Sequence, residues 1–200
     1  TPQEVRVWST RKPTSLALIS AQVQFNLKRV WHNYRYLIFA VVLPIGLYVL
    51  YAQMYGANRA FHHTIWGAYF MISMASFGAI GTTLNFTGTL VAHDRARGWI
   101  RYQRLTPLGR HNWVVGQVLS GMVASLMVIG LVVCSAVTVE HLPFTRFIGE
   151  AAILIWIGSL AYATLGLVVA HLMDATSVNY GVTLIYLASG FLGGLWTPLS

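Results

Sequence analysis

"TIWGAYFMISMASFGAIGTTLNFTGTLVAHDRARG", residues 64–98, is a long apolar run that ends abruptly in charged residues. No residue between Thr64 and Ala92 is charged, and an Asp-Arg-Ala-Arg-Gly sequence begins at Asp94. At about 1.5 Å per residue, roughly twenty helical residues cross a hydrocarbon core of about 30 Å. The segment therefore predicts a membrane-spanning helix that ends in a charged region outside the lipid.

The composition of the whole chain favours the same class of protein. Of its 200 residues, 56% are hydrophobic and 9% are charged, and the net charge is +8. A water-soluble domain of this size could hardly bury so much apolar surface. We therefore treat residues 1–200 as a single membrane domain.

Four further apolar segments are long enough to span. The five predicted membrane helices are Tyr36–Tyr55, Thr64–Ala92, Asn112–Val139, Phe147–Ala170 and Ser177–Trp196. Pro44 is expected to kink the first helix rather than end it, because neighbouring helices can satisfy the freed carbonyl. The expected fold class is an all-α, polytopic transmembrane helical bundle with five spans in residues 36–196.

Basic residues are distributed unevenly between the predicted loops. Eleven of the thirteen lie before the first span or between the second and third, and only Arg59 and Arg146 lie in the other loops. Because cytoplasmic loops carry the excess of Lys and Arg, we expect the amino terminus to be cytoplasmic.

Residues 1–35 contain an amphipathic helical pattern. Apolar side chains recur at helical spacing, at Leu16, Ile19, Val23, Leu27 and Val30. Polar side chains fall elsewhere, at Gln22, Asn26 and Arg29. The pattern favours a helix on the cytoplasmic membrane surface, capped by Thr14 or Ser15. A helix packed against protein is the alternative.

Five arginines lie in residues 93–111, between the second and third spans. At about 2.5 kcal/mol per residue, leaving them in lipid would cost on the order of 12 kcal/mol, so this segment is a loop outside the bilayer. Arg97, Arg101 and Arg104 share one helical face, which predicts a short surface helix. Three roles are open: a topology signal alone, binding of anionic lipid headgroups, or insertion into a groove of a soluble partner.

The order of residues in "DRARGWIRYQRLTPL", residues 94–108, adds a resemblance. It resembles the cytoplasmic segment of type-2 ATP-binding-cassette (ABC) exporter permeases, where an acidic-Arg-acidic-x-Gly motif precedes basic and apolar residues and a Leu-Thr-Pro-Leu ending. "GFLGGLWTPLS", residues 190–200, is similar to the glycine-rich end of that family's fifth span. Ala96 stands where the family commonly has a second acid, which leaves no acid there to form a salt bridge to the ATPase.

The resemblance implies a dimer of permease subunits with two cytoplasmic nucleotide-binding ATPase subunits, which bind ATP and Mg. Residues 94–108 would form the coupling helix, which sits in a groove of the ATPase. The residues expected to contact the ATPase subunit are Asp94, Arg95, Arg97, Gly98, Trp99, Arg101, Arg104 and Leu105. Trp99 and Leu105 would anchor the helix, and Gly98 would allow a close backbone approach. A sixth span after residue 200 and a bacterial-type plasma membrane are also implied.

Polar residues within the spans are candidates for a translocation path. The candidates are Asn85, Thr82, Phe86, Asn179 and Tyr180. Asn85 is the strongest, because its amide needs partners within the membrane. The alternative is that the small residues of the second span only allow close helix packing. The expected cargo is an apolar or amphiphilic compound, such as a drug, an antibiotic or a lipid.

Several other functions find no support in the sequence. It has no Gly-x-x-x-x-Gly-Lys-Ser/Thr phosphate loop, so we expect ATP hydrolysis in a partner and no cofactor in this chain. No Ser/His/Asp arrangement, metal-ligand spacing or nucleic-acid recognition module is apparent. Membrane lipid is an expected partner. The main alternative function is a membrane anchor or sensory subunit that recruits an ATPase without transporting, and a lipid-modifying enzyme is a weaker third.

Overall fold

The computed structural model describes residues 14–32, 38–56, 60–61, 64–99, 109–142 and 145–196. The helices in these ranges are α1 (Ser15–Trp31), α2 (Leu43–Tyr55), α3 (Trp66–Leu84), α4 (Leu90–Ala96), α5 (Arg110–Val139), α6 (Arg146–Leu172) and α7 (Val178–Leu192). A first π-helical segment, Ile38–Val42, leads into α2, and a second, Asn85–Thr89, joins α3 to α4. Two-residue strands β1 (Ala60–Phe61) and β2 (Thr64–Ile65) pair antiparallel. The predicted all-α membrane bundle is confirmed.

The apolar helices fall where the sequence predicts spans. Those long and apolar enough to cross a membrane are Trp66–Ala96, His111–Val139 and Arg146–Leu172, whereas Ala40–Tyr55 and Val178–Leu192 are shorter. We call the continuous helix Trp66–Ala96 the central helix. The last helix ends at Leu192 instead of Trp196, because Gly193 caps it and Gly194 has a φ of 64°.

The central helix forms the core of the bundle. In its most apolar part 83% of the residues are buried, against 33% for α5 and 28% for α6. Small residues allow this packing: a Cβ atom on Gly78 would lie 2.7 Å from Val128 Cγ1 of α5, and one on Gly88 would lie 2.8 Å from Val182 Cγ2 of α7. The glycines of this span therefore serve helix packing, as the alternative interpretation expected.

Hydroxyl groups of the central helix are satisfied locally. Thr83 Oγ1 donates to Ala79 O at 2.9 Å, and Thr87 Oγ1 donates to Thr83 O at 2.8 Å. Between α5 and α6, Trp156 Nε1 donates to Met122 O at 3.0 Å. Polar groups buried away from water cost free energy unless they are bonded, so these contacts permit polar residues at membrane depth.

The outer surface of the bundle is apolar. Large exposed apolar side chains on α5, α6 and α7 include Leu126, Leu131, Ile153, Leu154, Ile157, Leu184 and Phe191. Soluble proteins rarely expose contiguous apolar surface on this scale. The pattern fits a multi-pass protein whose surroundings are lipid or another apolar subunit.

α1 packs on α5 through its polar side. Thr14 Oγ1 accepts from Ala17 N at 3.4 Å, which confirms the predicted cap. Gln22 and Asn26 are buried, whereas Leu16 is 80% exposed. The polar side of α1 is therefore packed on protein, as the alternative interpretation expected. The rest of its apolar side is half-buried, at Ile19, Val23, Leu27 and Val30.

The first span continues past Pro44, as predicted. Pro44 is buried near the start of α2, directly after the first π-helical segment, and Val42 before it keeps helical angles of −67° and −37°. A proline in the first turn of an α-helix removes no hydrogen bond that the helix would otherwise make. The change from π to α geometry therefore places Pro44 where it is tolerated.

We predict that Gly166→Val destabilises the crossing of α6 and the central helix. A Cβ atom at this position would lie 3.1 Å from Gly88 N and 3.2 Å from Leu84 O, which are backbone atoms that cannot rotate away. The free energy of unfolding should fall by about 1–3 kcal/mol, measured as a lower midpoint of thermal unfolding in detergent. Gly158→Val on the same helix is the control, because no described atom lies within 4 Å of its added Cβ. Equal midpoints for the two variants would contradict the close crossing.

Candidate functional site

The charged motif begins where the central helix ends, and its first two residues attach that end to two other helices. Arg29 Nη1 of α1 donates to Asp94 Oδ1 at 2.7 Å and to Oδ2 at 2.9 Å. Arg95 Nη1 donates to Ala170 O of α6. Neighbouring residues thus connect the central helix to α1 on one side and to α6 on the other. We call this region the Asp94 end of the bundle.

The ion pair between Arg29 and Asp94 is largely shielded from solvent. Their side chains are 28% and 10% exposed. Removing one partner of such a pair leaves a charge that is poorly solvated and unpaired, which costs more than the intact pair contributes. Asp94 was predicted to contact an ATPase, but its carboxylate lies inside the subunit, so contact of this side chain with a partner stays a prediction.

Gly98 ends the helix by its backbone conformation. Its φ is +72°, and its N–H donates to Arg95 O at 3.1 Å, an arrangement common after the last residue of a helix. No described atom lies within 4 Å of a Cβ built on Gly98. Within this chain, the positive φ accounts for the glycine, and the close backbone approach to an ATPase subunit that was expected of it stays a prediction.

Arg97 is the one arginine of the predicted face that lies within the described residues. It caps α4 and directly precedes Gly98, whose left-handed backbone ends the helix. The face that Arg97 was predicted to share with Arg101 and Arg104 stays a prediction. Arg101, Arg104 and Leu105 lie outside the described residues.

Trp99 packs against α1 while part of its surface stays open. Its ring stacks on Phe25, with centroids 6.1 Å apart and planes 9° from parallel. Trp99 is 41% exposed and Phe25 is 49% exposed. The pair forms an apolar surface at the Asp94 end.

A buried cluster of amides joins α1 to the second π-helical segment. Asn26 Nδ2 donates to Gln117 Oε1 and to Ser120 Oγ, both at 3.0 Å. Gln117 Nε2 donates in turn to Phe86 O at 2.9 Å. The altered register of a π-helix leaves carbonyls in need of donors, and Gln117 satisfies one of them.

Sequence analysis missed this cluster. The signal was present as polar residues at helical spacing, with Gln22 and Asn26 four apart on α1 and Gln117 and Ser120 three apart on α5. Polar residues at i and i+3 or i+4 share one helical face. Two such polar faces in one membrane protein need each other as hydrogen-bond partners, because lipid offers no donors or acceptors.

A pocket of about 450 Å³ lies between α1 and the central helix at the Asp94 end. Its lining residues are Arg29, Val30, Asn85, Phe86, Thr89, Leu90, His93 and Arg97. Of the predicted path residues, Asn85 and Phe86 meet here. Thr82 is buried away from this lining, while Asn179 and Tyr180 are exposed on α7. The structure therefore brings together two of the five candidates.

We predict that Arg29→Gln lowers the stability of the protein, because it leaves the shielded Asp94 carboxylate without its cation. The expected loss is about 1–3 kcal/mol in the free energy of unfolding, measured by thermal unfolding in detergent. Lys28→Gln, an exposed cation on the same helix, is the control. Adding Asp94→Asn to Arg29→Gln should recover part of the loss. Equal effects of Arg29→Gln and Lys28→Gln would contradict a stabilising role for the ion pair.

Comparison with known proteins identifies the family. The profile of the ABC-2 type transporter family matches residues 17–200. The protein named "Putative transport permease YvfS" from Bacillus subtilis (strain 168) is 24% identical over 176 residues, which cover 86% of this chain and 71% of that protein. No solved structure matches the chain at a significant level. Permeases of this family are transmembrane transporter subunits of ABC systems, with the ATPase as a partner. The match runs through nearly the whole chain and includes the Asp94 end, and the chain therefore belongs to the ABC-2 type transporter family.

Proposed function

We propose that the chain is the membrane subunit of an ATP-driven exporter that moves an apolar or amphiphilic compound, such as a drug, an antibiotic or a lipid, by alternating access. It acts with a second permease subunit and with two cytoplasmic ATPase subunits, which bind the ATP and Mg. Its amino terminus and the Asp94 end face the cytoplasm, because eleven of the thirteen basic residues would then lie on that side.

The observation that carries this proposal is the attachment of the motif to two helices at once. A force applied to residues 94–108 acts on the last turn of the central helix. It passes to α1 through Arg29 and to α6 through the carbonyl of Ala170. Transport needs a connection of this kind. A partner can change the conformational state of a membrane protein only through an element that has two arrangements.

The proposed coupling surface combines apolar and basic groups. Trp99 and Phe25 present exposed rings. Arg101, Arg104 and Leu105, which lie outside the described residues, follow in the sequence and would add two charges and an apolar side chain. Aromatic and arginine side chains dominate the binding energy of many protein interfaces, which suits a segment that must hold an ATPase during repeated cycles.

The proposed cargo follows from the distribution of charge. In the described part of the bundle, Arg, Lys, Asp and Glu occur only near helix ends, and the hydroxyls of Thr83 and Thr87 bond to backbone carbonyls of the central helix. A hydrophilic ion would lose its hydration in such surroundings without gaining partners. An apolar or amphiphilic compound has far less hydration to lose.

We predict that Arg101→Glu combined with Arg104→Glu uncouples ATP hydrolysis from transport, because the reversed charges weaken the contact that transmits the stroke. The intact complex with its own ATPase would be placed in proteoliposomes, and ATP-dependent movement of hydrophobic dyes and of labelled phospholipid would be measured. The amount of compound moved per ATP hydrolysed should fall at least about fivefold, which corresponds to the lower end of typical coupling free energies. Lys28→Glu, which reverses an exposed charge on α1, is the control and should keep its coupling.

Two results would contradict the proposal in different ways. Normal coupling and assembly in the double variant would rule out residues 94–108 as the coupling helix. ATPase binding and hydrolysis by the unaltered complex, with no compound moved and none stimulating hydrolysis, would favour a membrane anchor over an exporter.

A further inference from the structure

We propose that the pocket between α1 and the second π-helical segment binds an anionic phospholipid, whose phosphate is held by Arg29 and Arg97. This site goes beyond the proposed transport function. It requires only a membrane protein with its Asp94 end at the lipid surface, and it does not depend on the cargo or on ATP hydrolysis.

The charges of the pocket select an anion. Among the described residues, the ionisable groups that line it are Arg29, His93 and Arg97, and none of these lining residues is a carboxylate. Arg29 uses a single nitrogen, Nη1, for its pair with Asp94. Within the described ranges its Nε and Nη2 make no other hydrogen bond, and the side chain of Arg97 makes neither a hydrogen bond nor an ion pair.

Two guanidinium groups with free donors suit a phosphate. Each carries N–H groups in a planar fork that matches two oxygens of a phosphate, and charge-assisted bonds of this kind are about twice as strong as neutral ones. The bonds from Nη1 to Asp94 already fix the side chain of Arg29, so little side-chain entropy is lost when a ligand binds to its other nitrogens. The ion pair therefore orients Arg29 toward the pocket without consuming all of its donors.

The polarity of the pocket changes along its length as it does along a phospholipid. Asn85, Thr89 and His93 follow one another at intervals of four residues on the central helix, and Arg97, four residues further on, caps its end. This wall therefore covers roughly 18 Å at about 1.5 Å per residue. Arg97 lies at the outer end. Thr89 and Asn85 lie further in. Thr89 Oγ1 donates to Asn85 Oδ1 at 3.4 Å and Asn85 Nδ2 donates to Gly81 O at 2.8 Å, so this part of the wall is polar but carries no charge.

The apolar lining distinguishes a lipid from a free anion. Val30 and Leu90 provide partly exposed apolar surface beside the polar wall. A free phosphate has no group that packs on such surfaces, whereas the glycerol backbone and the first acyl carbons of a lipid make van der Waals contact with them. The volume of about 450 Å³ lies within the usual range for ligand pockets, with the acyl chains extending into the bilayer.

The experiment measures lipid binding to the intact complex in detergent, by native mass spectrometry and by the midpoint of thermal unfolding. Three probes are compared at equal concentration: phosphatidylglycerol, phosphatidylcholine and inorganic phosphate. We expect phosphatidylglycerol alone to be retained and to raise the midpoint. Arg97→Gln should weaken its apparent affinity about tenfold, whereas Lys28→Gln, which removes a nearby exposed charge that does not line the pocket, should change it little.

A second variant tests the pocket itself without changing its charge. Thr89→Phe fills the middle of the cavity and should prevent retention of phosphatidylglycerol. If phosphatidylcholine is retained as well as phosphatidylglycerol, the pocket does not recognise the charge of the lipid. If inorganic phosphate shifts the unfolding midpoint as much as phosphatidylglycerol does, the pocket does not recognise the lipid chains. Either result, or the same affinity in Arg97→Gln and Lys28→Gln, would overturn the proposal and leave the transport function untouched.

Discussion

The central helix can be buried along most of its length only because its polar groups find partners inside the protein. Lipid supplies no hydrogen bonds, so each hydroxyl, amide and irregular carbonyl of Trp66–Ala96 has to be satisfied by the chain itself. Threonine hydroxyls bond to the preceding turn, and Gln117 of α5 reaches the carbonyl of Phe86 in the second π-helical segment. The position of α1 follows from the same requirement, because Asn26 completes the bonding of Gln117.

The Asp94 end turns this packing into a mechanical connection. Three contacts hold α1 in place. The amide cluster joins it to α5, the Arg29–Asp94 ion pair joins it to the central helix, and Phe25 stacks on Trp99 just beyond that helix. Arg95 adds a contact to α6. In the proposed function, motion of the ATPase enters the chain at residues 94–108. The first two of these residues are bonded to two neighbouring helices.

Helix positions were predictable from the sequence, because they depend on local properties. The length of an apolar run, the uncharged interior of residues 64–92 and the cap at Thr14 are each visible within a few residues. The buried side of α1 was not predictable in that way, since Asn26 and Gln117 are separated by 91 residues. Gln22, Asn26 and Arg29 read as a polar side, and only the position of α5 shows that this side faces protein.

The candidate site was predictable in part for the same reason. The motif located the Asp94 end, and Asn85 and Phe86 do meet in one pocket because they are neighbours on one helix. Asn179 and Tyr180 are distant in sequence, and their exposure on α7 depends on how that helix packs. Gly98 illustrates a further limit, because nothing in the sequence shows that this glycine has a φ of +72° and ends the helix.

The central claim is that α1 and the Asp94 end of the central helix move as one body when the ATPase acts. Spin labels at Gln24→Cys and Ala96→Cys, two exposed positions, would report the distance between these elements by pulsed electron paramagnetic resonance in a Cys134→Ser background. We predict one narrow distance that is the same without nucleotide and with ATP trapped, in complexes where a second pair, Ala96→Cys with Asn179→Cys, shows that the conformation has changed. A Gln24–Ala96 distance that shifts or broadens with ATP would contradict the claim.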